Sequence, residues 1–160
     1  MILQIFQDAL FSAIAAIGFA AISNPPRRAY PLCALIAAAG HSIRYILMAL
    51  PAEPAHIVPA TLAASFAIGL MAVFLSPVVR TPAETCLFPS LLPMIPGIYA
   101  YKAFGAAAKC ALCSTAGEFD LWFMIFARNF TLCACLLLCL VVGATLPIFI
   151  FKKISFQATR

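Results

Sequence analysis

Residues 121–151 carry a single charge, Arg128, among leucine, phenylalanine, cysteine and valine. At 1.5 Å per residue a helix of that length exceeds a hydrocarbon core of about 30 Å, so it should tilt or project from the membrane. Pro147 is expected to kink or end its last part, and Lys152 and Lys153 close it. A soluble domain would have no place for such a segment. The whole chain agrees: 65% of it is apolar and 9% charged, against roughly 45–50% and 25% in ordinary globular domains. The expectation is an integral membrane protein: one transmembrane domain over residues 1–160, with room for four to five spans of about 20 residues each.

The other spans follow in order. Residues 2–22 form the first, with Gln4, Gln7 and Asp8 near its start, where an interface could hydrate them. No basic region precedes it and no clear cleavage site follows, so a signal peptide is not expected. The run SNPPRRAYP at residues 23–31 is a short basic loop. Residues 30–50 form the second span, where Ala37, Ala38, Ala39 and Gly40 allow close helix contact. His41 and Arg44, three apart, share a face of it. Pro51, Glu53, Pro54 and His56 make a loop without Lys or Arg, and residues 57–75 form the third span, with a small-residue face at Ala60, Ala63, Ala64 and Ala67. A loop bearing Arg80 and Glu84 follows, and residues 109–120 read as a polar connection before the last span.

Between those two lies the most unusual stretch, CLFPSLLPMIPGIYAYKAFG, residues 86–105. Each proline removes a backbone donor and disfavours helix at the residue before it, so the fourth span is expected to break at residues 93–97, where Pro93, Pro96 and Gly97 stand. Tyr99, Tyr101 and Lys102 follow at once. Broken backbone at membrane depth is tolerated where protein or a wet cavity receives it, and transporters bind solutes at such breaks. The plain alternative is two interfacial half-segments joined by a turn.

The formal charge is +5, and its paired basic residues, Arg27 with Arg28 and Lys152 with Lys153, flank spans. That is a membrane-orientation pattern, not a nucleic-acid face. Placing these pairs and Arg80 in the cytoplasm yields an all-α bundle of five transmembrane helices, N-terminus out and C-terminus in. Within the spans fall Arg44, Lys102 and Arg128, each costing roughly 2.5–3.5 kcal/mol to insert and therefore a functional candidate. The five acids lie in loops or near span ends, so the interior reads as net cationic. A substrate carboxylate or a partner's acids would complete it; the alternative is that each long side chain snorkels to an interface. His41 could relay a proton, or serve as a satisfied interhelical donor. The seven cysteines look structural. Cys110 and Cys113 have C-x-x-C spacing without a second pair, which supports no metal and only a local disulfide. With no phosphate loop, triad or metal motif, neither an enzyme nor a cofactor is expected.

The runs NPPRRAYPLCALIAAAGHSIRYILM and PMIPGIYAYKAF, the RNF at Arg128 and Asn129, and GATLP before the final lysines resemble the threonine/serine exporter (ThrE-type) family, in its small-subunit, YjjB-like form. The resemblance covers nearly the whole chain. It departs in Lys102 after the Ala-Tyr pair, in Arg128 before the Asn-Phe pair, and in the many cysteines. It implies a bacterial inner-membrane chain equivalent to the C-terminal half of a ten-span, proton-driven secondary exporter of threonine and serine, with a larger membrane subunit as the other half. Some two-chain members are associated with small carboxylates such as succinate. By matching position it implies Asn24 and Arg27 as a loop motif, and His41, Arg44, Pro93, Pro96, Gly97, Tyr101 and Asn129 as motif residues; Tyr99, Lys102 and Arg128 join the expected substrate pathway on physical grounds. The competing expectation is an accessory subunit whose cations only fix assembly with a partner.

Overall fold

The computed structural model describes residues 2–50 and 56–155. Its elements are α1 (Ile2–Ser23), a 3-10 turn (Arg27–Ala29), α2 (Tyr30–Met48), α3 (Ile57–Leu75), a 3-10 turn (Ser76–Val79), α4 (Ala83–Leu91), a 3-10 turn (Leu92–Met94), α5 (Gly97–Leu112), α6 (Ala116–Ile150) and the one-turn α7 (Lys152–Ser155). The described residues contain helices and no strands. Four stretches among them are long and apolar enough to cross a membrane: Ile2–Ser23, Arg27–Met48, Ile57–Val79 and Ala116–Ile150. The expected loop at Pro51, Glu53 and Pro54 lies outside the described residues.

Local chemistry explains the boundaries. Asn24 takes a left-handed φ of 48°, which asparagine tolerates better than most residues, and Pro25 and Pro26 stop α1 from continuing. Pro31 sits in the first turn of α2, where its missing donor costs nothing. His56 caps α3, its Nδ1 accepting from the Val58 amide at 3.4 Å. The connection expected over residues 109–120 is shorter, because Lys109 still belongs to α5 and Glu118 and Asp120 already belong to α6. Thr115 provides the reason: its Oγ1 accepts from the Glu118 amide at 3.4 Å, an N-cap that starts the helix early, with Glu118 suited to the positive end. Pro147 does not end α6, which runs to Ile150.

The described chain forms two compact regions, residues 2–94 with 139–155, and Ile95–Leu138. In the first, α1 presents Ser12, Ala16 and Ala20 at four-residue spacing, all buried, and α2 presents Cys33, Ala37 and His41 at the same spacing, also buried. Rows of small residues four apart let the two helices approach closely. Gly40 extends this closeness to α3, since a Cβ there would collide with Ile68. Gly143 does the same between α6 and α3, where a Cβ would meet Ser65 and lie 2.9 Å from the Leu62 carbonyl oxygen. Ser65 Oγ donates to the Cys139 carbonyl at 3.0 Å and to its own Leu62 carbonyl at 3.0 Å.

The short α4 is tied to α2 through its proline. Pro89 has no amide to give the Thr85 carbonyl; the Cys33 thiol approaches that oxygen instead, at 4.0 Å. One residue on, Ser90 Oγ reaches the Cys33 carbonyl at 2.9 Å and the Cys86 carbonyl at 2.7 Å. Neighbouring helices thus re-satisfy the backbone a proline has freed, as buried breaks in membrane helices require.

Candidate functional site

The expected break is present. α4 ends at Leu91, Leu92–Met94 tighten into a 3-10 turn, and a new helix starts at Gly97. Pro96 serves as its N-cap position, and its carbonyl accepts from the Tyr99 and Ala100 amides at 3.1 and 3.2 Å. The Gly97 amide turns back to the Ile95 carbonyl at 2.8 Å. α5 therefore begins with its positive dipole end at the break. Of the residues that follow, Tyr99 is half-buried while Tyr101 and Lys102 are exposed. On α6, Arg128 is exposed and Asn129 is half-buried, its Nδ2 donating to the Ile125 carbonyl at 2.7 Å. Asn24 and Arg27 are exposed in the turn between α1 and α2.

His41 departs furthest from expectation. It is buried, 5% exposed, and it is not isolated from acids: its Nδ1 lies 3.3 Å from Asp8 Oδ2 of α1. Asp8 was expected near the start of the first span, where an interface could hydrate it, and the interior was expected to be net cationic. The pairing of α1 with α2 turns the Asp8 side chain onto the His41 ring and leaves it 35% exposed, a contact that was not expected. One helical turn further out, Tyr45 Oη donates to Gln4 Oε1 at 2.8 Å. Gln4 and Asp8 are four apart on α1, and His41 and Tyr45 are four apart on α2, so the two polar pairs stack as successive rungs. Arg44 stands on the next position of the same α2 surface, half-buried, and its charge acts on the His41 ring.

The two ring nitrogens stand in different surroundings. An ionised carboxylate only accepts hydrogen bonds, so with Asp8 ionised a neutral His41 would carry its proton on Nδ1 and a lone pair on Nε2. Nε2 is buried with no hydrogen-bond partner. A buried polar atom left unpaired is costly and calls for an explanation. Thr61 Oγ1 on α3 is likewise buried without a partner.

Sequence reasoning missed Asp8, Gln4 and Tyr45 as site residues. The available signal was the spacing of Gln4, Asp8 and Ser12 in line with Ala16 and Ala20, a polar end on a small-residue stripe. The C-x-x-C cysteines are both free thiols, and Cys110 Sγ lies 4.0 Å from the Phe119 carbonyl. Among the described residues no group of three or more His, Cys, Asp or Glu side chains is placed to hold a metal.

An uncharacterized protein of Haemophilus influenzae is 40% identical over 101 residues, covering 63% of this chain and 33% of that relative; the matched part thus spans about a third of the relative's length. No solved structure matches. The family model for the threonine/serine exporter, ThrE, matches residues 8–150, a span that opens on Asp8 and takes in His41, Arg44, the proline break and Asn129, and the chain belongs to that exporter family.

Proposed function

We propose that this chain is one half of a two-chain secondary exporter of small amino acids, threonine and serine, in the bacterial inner membrane. A larger membrane subunit supplies the other half, and the proton-motive force drives export. The observation that carries this reading is buried His41 paired with half-buried Asp8, with Arg44 beside them, in a chain of the exporter family. Ionisable groups are costly at membrane depth and mark solute or ion pathways.

In this reading α4, the turn and α5 make the fourth of five crossings, since nine and sixteen residues are each short of a full span. The N-terminus lies outside and the C-terminus in the cytoplasm. Arg44 holds the substrate carboxylate, to which a guanidinium presents paired donors. His41, Pro93, Pro96, Gly97, Tyr99, Tyr101, Lys102, Arg128 and Asn129 line the pathway, and Asn24 with Arg27 forms a cytoplasmic loop motif.

The test is efflux from intact cells loaded with threonine- or serine-containing dipeptides, with succinate in parallel. Deleting this chain should abolish amino-acid efflux, and restoring it as Arg44→Ala should leave the complex assembled but inactive. Loss of assembly instead would favour an accessory role. Unchanged amino-acid efflux with lost succinate efflux would move the substrate to a small dicarboxylate.

A further inference from the structure

Among the described residues, Nε2 of His41 is a buried atom of the polar ladder with no hydrogen-bond partner. Asp8 occupies the other ring nitrogen at 3.3 Å, Tyr45 and Gln4 satisfy one another, and Ser12 Oγ donates to the Ala9 carbonyl at 2.9 Å. The ionisable groups on elements packed against α2 are few. From α1 there is Asp8, and on α2 itself there are Arg44 and Tyr45 within a turn of the ring, with Cys33 and Tyr30 eight and eleven residues away. α3 contains no ionisable side chain. α4 contributes Glu84 and Cys86, but it meets α2 around Cys33, eight residues or about 12 Å along the helix from His41. Arg27 and Arg28 lie beyond the N-terminal end of α2.

We propose that Asp8 and His41 form the proton site of the exporter, and that a proton and the primary ammonium group of the exported amino acid compete for His41 Nε2. This rests on the exporter reading above. With Asp8 ionised and His41 neutral, the Nε2 lone pair accepts one N–H of the substrate ammonium, while the carboxylate lies with Arg44. When a proton from outside adds to Nε2, the ring becomes an imidazolium that only donates, and its charge repels the ammonium. Asp8 stays ionised throughout and balances the new charge, so the pair passes from −1 to neutral. On the cytoplasmic-facing side the proton leaves Nε2 to water, and the freed lone pair accepts the next ammonium. One site cannot hold both, so one proton enters for each amino acid that leaves. A ligand that excludes another from a shared atom is coupled to it without any longer pathway.

The test uses inverted membrane vesicles from cells carrying the whole exporter, in which export appears as uptake. Two fluxes are measured: threonine accumulation driven by a pH gradient, and threonine–threonine exchange at equal pH on both sides. His41→Gln keeps an amide oxygen to accept the ammonium but takes up no proton. It should lower driven accumulation by on the order of a hundredfold, the scale of a positioned acid–base group, and lower exchange by far less. Exchange by the unaltered protein should weaken as pH falls, through a raised KM at constant maximal rate, and His41→Gln should abolish that dependence. Asp8→Asn keeps an acceptor for Nδ1–H without the charge, and should weaken driven accumulation more than exchange. Gradient-driven accumulation that survives in His41→Gln would overturn the proposal. So would equal loss of both fluxes in both variants at normal chain abundance. No flux of threonine or serine in unaltered vesicles would overturn the exporter reading itself, and this inference with it.

Discussion

The two regions of this chain bury themselves in opposite ways. In residues 2–94 with 139–155, helices are joined to one another by polar side chains: Asp8 to His41, Tyr45 to Gln4, Ser90 to the Cys33 carbonyl, Ser65 to the Cys139 carbonyl. Its centre includes buried Ile36, Ile68, Val73 and Leu87 packed among alanines. In Ile95–Leu138 the buried side chains are Pro96, Ala103, Ala106 and Leu136, while Tyr101 and Phe104 are 80% and 76% exposed. Asn129 bonds within its own helix. Phe119, Phe123, Phe126 and Phe130 stack along one side of α6 with ring centroids 5.5–6.2 Å apart. The lesson is physical. A membrane helix gains little from burying an apolar side chain that lipid already solvates, so close packing and polar bonds decide which helices associate. The first region has both. The second offers apolar and aromatic surface to lipid or to another chain.

The contrast can be broken most sharply at two glycines. Gly143→Ala drives a Cβ against Ser65 and the Leu62 backbone, and should destabilise the protein by about 1–3 kcal/mol, the usual cost of overpacking. Gly105→Ala enters open space and should be neutral or stabilising by up to about 1 kcal/mol, as alanine is the better helix former. Thermal unfolding in detergent reads both. An equal loss at Gly105 would mean that the second region is packed as tightly as the first.

A smaller effect separates polar bonds between helices from those within one. Ser90→Ala removes the donor to the Cys33 and Cys86 carbonyls and should cost about 0.6–1 kcal/mol. Asn129→Ala should cost less in stability yet reduce efflux, because its amide is proposed to face solute. Melting and transport assays on the same variants would sharpen the distinction between a scaffold residue and a pathway residue. If Asn129→Ala melts early with normal efflux, the roles are reversed.

The smallest effect concerns the end of α5. Lys109 Nζ sits 3.7 Å from the centroid of the Trp122 ring, an attraction worth about 0.5–1 kcal/mol at an exposed site. Trp122 is the chain's single tryptophan, so Lys109→Gln should change the intrinsic fluorescence and shift stability by about 0.5 kcal/mol or less. A melting shift as large as that of Ser90→Ala would show that this contact fastens more than two neighbouring helices.

Much of the architecture could be read from residue order alone. The span limits at Ile57 and Leu75, the turn at Asn24 and the break before Gly97 follow from apolar runs, prolines and small residues, all local properties. The early start of α6 was not legible, because Thr115 and Glu118 act as a cap only once the helix forms. Nor was Asp8 legible as a partner of His41. Thirty-three residues separate them, and neither helix by itself says which neighbour its polar stripe will meet.

The sequence by itself determined a helical membrane protein, the place where a helix must break, and the motifs that tie the chain to an exporter family. Lipid imposes those outcomes on any chain this apolar, since each backbone donor must be satisfied within its own helix or by a near neighbour. Only the tertiary structure decided that Asp8 turns onto the His41 ring and that the buried Nε2 is left without a partner among the described residues. Those facts depend on the rotation of α1 against α2. That rotation is set by the meeting of two small-residue surfaces, an interaction between distant segments that no stretch of sequence contains.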